Sequence, residues 1–173
     1  MTRRLKAALF RFLGYRALRL HNLRAALENF KKAAKQQPEN PNFTLQIAWC
    51  QYRLENYEAA IEQYDQLLQR DAGCATAHAY RALSLARVHR LREAVEELQR
   101  ARRMGFPVKG EKSPEFWEGS LGTWLADFGN YAEAIEPLRR WVELEPNDAD
   151  AHYRLGIAYS ELRRHEESMK ELQ

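Results

Sequence analysis

A small side chain recurs on a fixed beat through this sequence, and no other feature limits its fold as tightly. NYEAAIEQY at 56–64 and NYAEAIEPL at 130–138 are nearly the same phrase, and their central alanines, Ala60 and Ala134, stand 74 residues apart. That separation is two periods of 34 plus six. The same period leads from these alanines to Ala26 in LRAALENFKKA, Ala94 in LREAVEELQRA and Ser168 in HEESMKEL. Twelve residues before each of the five lies a second small residue: Gly14, Ala48, Ala82, Gly122 and Gly156. Four residues after each lies a large apolar one: Phe30, Tyr64, Leu98, Leu138 and Leu172. Self-similarity at such a period marks supersecondary units that bury their apolar faces by stacking.

Each copy reads helix, short turn, helix. Two antiparallel helices joined by a few residues pack tightly only where a minimal side chain at the crossing lets the backbones approach, and the large neighbours then fill the gaps. Tyr57 and Tyr131 open second helices, and Pro38 and Pro146 close copies. Taken as a set over residues 7–173, this pattern resembles the tetratricopeptide repeat family. The resemblance implies an all-α fold: an α-solenoid of stacked antiparallel helix pairs, a right-handed superhelix of about five repeats with the last incomplete. Residues 1–173 are then a single repeat domain, with copies at 7–40, 41–74, 75–108, 115–148 and 149–173. The six extra residues fall in GFPVKGEKSP at 105–114, read as a surface loop that changes the step between copies. Copy five stops at Gln173 inside its second helix. Repeat stacks need polar capping helices, so the chain is expected to be a fragment, or to have this end covered by a partner such as a second copy of itself.

Some slots depart from the family pattern. The large aromatic near the start of the first helix is Phe10 in copy one but Thr44, His78, Glu118 and His152 in the others, and Arg81 stands where Leu13, Ile47, Leu121 and Leu155 are apolar. Trp141 takes a slot that is Ala33 and Ala101 elsewhere. These irregularities predict local widening between neighbouring copies.

Charge divides the chain. The formal balance is +3, yet residues 1–40 hold ten Lys and Arg against Glu28 and Glu39, a balance of +8 that leaves −5 for the remainder. The apolar residues between Leu5 and Leu20 are broken by Lys6, Arg11, Arg16 and Arg19, too often for a membrane-spanning helix. With 29% charged residues the chain is expected to be soluble, and its two cysteines make a reducing cytoplasm the expected compartment, with peripheral membrane attachment as the alternative. Two cysteines, Cys50 and Cys74, provide no disulfide framework and no zinc spacing.

No pattern in the sequence calls for catalysis, a metal or a cofactor, and the chain is read as a non-enzymatic protein. Gly105, Gly110, Lys112 and Ser113 approach a phosphate-binding loop, but Glu111 intrudes and no strand precedes it. The five histidines fall in different copies without metal-ligand spacing and are read as surface or interhelical packing.

In the family the first helices line the concave side, and the positions facing it follow a four-residue stride. The stride selects Arg11, Tyr15 and Arg19, then Leu45, Trp49 and Arg53, then Ala79, Leu83 and Arg87. Arg19, Arg53 and Arg87 form a ladder of like charge that switches to Asp127 and Glu161 in copies four and five. Guanidinium groups favour two-pronged capture of carboxylates, and Tyr15 and Trp49 add rigid contact area. The expected partner is a protein or peptide segment, acidic with an apolar anchor, held by Arg11, Tyr15, Arg19, Leu45, Trp49, Arg53, Leu83 and Arg87. The lysine and asparagine of the family's carboxylate clamp are absent, since Arg11, Tyr15 and Gln46 stand there, so capture of chaperone tails is not expected. Binding of nucleic acid or an anionic membrane surface through the basic N-terminal end is the alternative. Nucleic acid is the less expected of these because one basic patch makes no continuous track.

Overall fold

The computed structural model describes residues 2–106 and 114–173, and over these the chain forms ten α-helices and no strand. They are α1 Arg3–Arg19, α2 Leu23–Gln36, α3 Pro41–Arg53, α4 Tyr57–Arg70, α5 Ala75–Arg87, α6 Leu91–Arg103, α7 Pro114–Asp127, α8 Tyr131–Leu144, α9 Ala149–Glu161 and α10 His165–Glu171. They pack into two compact units, Met1–Glu97 and Leu98–Gln173. The all-helical architecture of antiparallel pairs is the one the 34-residue beat demands. Most of the expected insertion, residues 107–113 with Gly110, Lys112 and Ser113, lies outside the described residues.

The turn inside each pair is built the same way every time. His21, Glu55, His89, Gly129 and Arg163 all have a left-handed backbone, with φ between 56° and 76°. The residue that follows donates its backbone N–H to the carbonyl five residues back, as in Asn22 to Ala17 at 2.9 Å, Asn56 to Gln51 at 3.0 Å and Asn130 to Leu125 at 2.9 Å. This closure satisfies carbonyls that the ending helix leaves unpaired and sends the chain straight into the second helix. Four of the five turns use a side-chain-bearing residue there, at a cost of about 1 kcal/mol each, which the packing of the pair must offset.

The beat residues occupy the crossings. Ala26, Ala60, Ala94 and Ala134 are wholly buried, as are Ala48 and Ala82. In the first unit Phe30, fully buried, presses on Gly14, where an added Cβ would stand 2.7 Å from its ring. Ala17, Leu27, Ile47 and Cys50 complete the same cluster. In the second unit Leu121, Leu125, Leu138 and Leu155 are at most 2% exposed. Ser168, which replaces the beat alanine, is buried and donates to the Gly156 carbonyl at 2.9 Å, so the substitution creates no unpaired hydroxyl.

Four of the irregular slots, His78, Arg81, Glu118 and His152, carry ion pairs. In the first unit His78 reaches Glu97 through Nδ1 at 2.6 Å and the Ala72 carbonyl through Nε2 at 3.1 Å. Arg81 adds Asp65 at 2.6 Å and Glu97 at 3.5 Å. In the second unit His152 repeats the arrangement with Glu171 at 2.7 Å and the Pro146 carbonyl at 3.0 Å, at the same sequence offsets of 19 and 6 residues. Each histidine therefore joins its own helix to the second helix of the pair and to the loop before it. In copy four Glu118 accepts from Arg102 at 3.0 Å, and Arg102 also donates to Glu136 at 2.7 Å. Phe106, inside the stretch expected as a surface loop, is buried with its ring edge-on to Trp117 at 4.8 Å. Its aromatic surface is worth more in the core than in water, so this residue of the expected loop belongs to the packing of the unit.

Candidate partner-binding surface

The predicted ladder lies within the first unit, on α1, α3 and α5. Burial of Ala7, Gly14 and Ala17 fixes the inner side of α1 and leaves Arg11, Tyr15 and Arg19 exposed. Tyr15, 44% exposed, holds its position by an edge contact to Phe30 at 5.3 Å. On α3, Leu45 and Trp49 are half-buried and Arg53 is exposed. Trp49 packs on the cluster of Ala17, Phe30 and Ile47, and the Arg53 guanidinium lies 5.1 Å from the centre of its ring. A four-residue step along a helix brings those two side chains one above the other.

Leu83 does not fit the predicted set. It is 5% exposed and belongs to the core of α5, where eight residues between Ala77 and Leu85 are buried. With neighbouring helices covering most of its surface, α5 has no free stripe for a four-residue stride to mark. Arg87, past that buried run, is exposed.

The structure adds two residues that the stride did not select. Arg87 donates from Nε to the Tyr57 hydroxyl at 3.0 Å and lies over that ring at 5.4 Å. The hydroxyl pushes the Arg87 guanidinium above its ordinary value, holding it charged. Tyr52 packs against both Tyr57, at 5.8 Å, and Tyr80, at 6.4 Å. Burial raises the Tyr52 phenol, and the fields of Arg87 and Arg53 oppose that rise. Trp49, Tyr52 and Tyr57 thus form an aromatic base carrying Arg53 and Arg87 as fixed cations. The signal was present in Tyr57, which stands 30 residues before Arg87; the matching position for Arg53 is Leu23, which has no π face, so Arg53 stacks on its own helix instead.

Among the described residues neither Arg53 nor Arg87 has a carboxylate at ion-pair distance, in contrast to Arg81 and Arg90, which do. Stacking limits the motion of a guanidinium while leaving its N–H edge open to an outside acceptor. Nucleophilic chemistry finds no support nearby. Burial pushes the Cys50 thiol up to about 11, despite the opposing charge of Arg53, so it stays protonated and unreactive. Among the described residues no group of three His, Cys, Asp or Glu is placed to hold a metal ion. No described helix is long and apolar enough to cross a membrane.

Comparison with known families agrees with the helical-repeat fold. A tetratricopeptide repeat model matches residues 13–75 and again 45–107, together more than half of the chain, and a second model, described as TPR repeat, matches 125–162. The chain belongs to the tetratricopeptide repeat family. Such proteins are generally non-enzymatic scaffolds for protein interaction. The human interferon-induced protein with tetratricopeptide repeats 2 is 28% identical over 132 residues, covering 75% of this chain, and the match spans 28% of that relative's length. Among solved structures, a MamA RS-1 ArsTM double mutant superposes with a TM-score of 0.81 at 22% identity, covering 96% of this chain and 90% of that one. MamA AMB-1 gives a TM-score of 0.81 at 17% identity over 96% and 88% of the two chains. At such identities these solved structures show a shared fold alone.

Proposed function

We propose that this chain is a non-enzymatic adaptor whose first unit holds a partner protein segment, acidic and bearing an apolar anchor, on the face formed by α1, α3 and the end of α5. The supporting observation is the pair of stacked arginines. Arg53 on Trp49 and Arg87 on Tyr57 are fixed by aromatic rings and lack carboxylate partners among the described residues. Like charges held in this way gain from an external anion, and the exposed side of Tyr15 and the half-buried Trp49 offer an anchor its contact area. Arg11 and Arg19 extend the positive field along α1, and Leu45 lies on α3 one turn before Trp49. Leu83 supports the surface from inside the core.

Titration of a capped peptide of alternating glutamate and phenylalanine, followed by calorimetry at low and high salt, tests this reading. The Arg53→Glu, Trp49→Ala variant is expected to weaken binding by about 30-fold or more, the loss typical of a central interface residue. Because Trp49 also packs on the core, Arg87→Glu alone is the companion variant and should weaken binding while leaving thermal unfolding unchanged. Parent-like affinity in both variants would overturn the reading.

One observation favours a second reading, attachment to an anionic membrane surface. Leu5, Leu9 and Phe12, which follow a helical stride on α1, are 58%, 44% and 63% exposed between Arg4, Lys6 and Arg11. An amphipathic helix of that kind lies in the interface plane, with each nearby cation contributing about 1 kcal/mol. Exposed aliphatic residues fit lipid better than nucleic acid. Sedimentation with vesicles containing phosphatidylserine, repeated with Phe12→Ser, tests it; equal recovery with neutral vesicles would dismiss it.

A further inference from the structure

The second unit contains a cleft of about 460 Å³ whose chemistry is opposite to that of the arginine face. Phe116, Trp124 and Trp141 line it with aromatic surface, and Glu115, Glu145, Asp148 and Asp150 line it with carboxylates. Gly119 makes room for the arrangement: a Cβ there would stand 2.9 Å from the Trp141 ring, so any side chain would push the indole across the cleft. This explains how a tryptophan occupies a slot that is Ala33 and Ala101 in copies one and three. Both Trp124 and Trp141 are half-buried.

Elsewhere in the molecule the chain supplies its own cation to such rings. Arg53 lies over Trp49, Arg87 over Tyr57, and in the second unit Arg164 lies over Tyr159 at 4.6 Å. Among the described residues no cation lies over Trp124 or Trp141. Among the described residues the only cationic side chain lining the cleft is Arg154, and its Nε is engaged by Asp150 at 2.9 Å. Asp148 is partly committed as well, since its Oδ1 caps α9 by accepting from the backbone of Asp150 and Ala151. Glu115 and Glu145 remain, with no ion pair among the described residues. A site of aromatic faces and unpaired carboxylates around a cavity attracts a planar, weakly hydrated cation, which can stack on an indole while it donates to a carboxylate.

We infer that this cleft binds an arginine side chain of a basic peptide segment, with the guanidinium against Trp124 or Trp141 and its N–H groups directed to Glu115 and Glu145. The site is independent of the arginine face of the first unit and selects the opposite charge. An adaptor with both surfaces discriminates between segments by sign, because each surface repels the ligand of the other.

The test uses the full chain and an acetylated, amidated peptide of alternating glycine and arginine, with a second peptide carrying citrulline, the neutral isostere, at each arginine. Calorimetry should show saturable binding of the arginine peptide that weakens with salt, accompanied by a change in tryptophan fluorescence, and at least about tenfold weaker binding of the citrulline peptide. Glu115→Gln with Glu145→Gln should reduce arginine-peptide affinity by a similar factor, while Arg53→Glu in the first unit should not reduce it. Equal affinity for the two peptides, measured on the unaltered protein, would overturn the assignment. So would parent-like binding by the Glu115→Gln, Glu145→Gln variant.

Discussion

Gly122 lies directly beneath Leu138: a Cβ added to the glycine would stand 2.6 Å from the leucine Cγ and 3.2 Å from its backbone nitrogen. The two residues are 16 positions apart, as are Gly14 and Phe30 and as are Gly156 and Leu172, and in all three pairs the glycine's missing Cβ is the space the larger side chain fills. Gly122→Ala must move a fully buried leucine and the helix backbone that carries it, and should cost about 1–3 kcal/mol. Gly156→Ala makes a similar overlap with Leu172, which is 49% exposed and can swing outward, so its cost should be smaller. Thermal unfolding of the two variants side by side measures the difference.

The two histidine ties share a geometry and differ in burial. Side-chain exposure is 5% and 9% for His78 and Glu97 but 31% and 22% for His152 and Glu171. Glu97→Ala leaves His78 and Arg81 beside a buried gap and should destabilise the protein by about 3 kcal/mol. Glu171→Ala exposes its partner to water and should cost less than about 1 kcal/mol. Urea denaturation midpoints at neutral pH compare them.

The His152 tie should also carry a pH signature. The Pro146 carbonyl and then the Glu171 carboxylate, both hydrogen-bond acceptors, raise the His152 imidazole above its ordinary value of 6.5, with Asp148 adding to the same effect. The folded state therefore binds the proton more tightly than the unfolded chain does. That contribution is fully present below about pH 6.5 and is lost as pH rises through the folded value. The stability gap between the parent and His152→Gln should be widest near about pH 5.5 and narrow by about pH 8.5. A gap that is constant across this range would mean the histidine acts by packing alone.

Cys50 provides a check on the core. Its thiol, raised to about 11 by burial, should resist a disulfide exchange reagent at pH 8 until the protein unfolds. Cys74, half-buried and also raised, should react before Cys50 in the native state. Quantifying released thiolate chromophore with and without denaturant, with Cys74→Ser to assign the phases, tests the order.

Residue spacing alone determined the helices, their pairing and the positions where pairs cross. A crossing admits only minimal side chains, and that steric demand repeats every 34 residues in plain view. The family resemblance placed Trp49 and Arg53 on one stride, and because a four-residue step is local geometry the two side chains do meet. What depended on neighbouring helices stayed hidden. The burial of Leu83, the engagement of Arg87 by Tyr57 and the ties from His78 and His152 all join residues separated by a turn or more of the fold. The second-unit cleft is the fullest example: Trp141 read as an anomaly in a small-residue slot, and only its contact with Gly119 showed the anomaly to be the wall of a cavity. Periodicity records what each helix must do to pack against a generic neighbour. Which polar group meets which, and where space remains, follows from the side chains that the actual neighbour supplies.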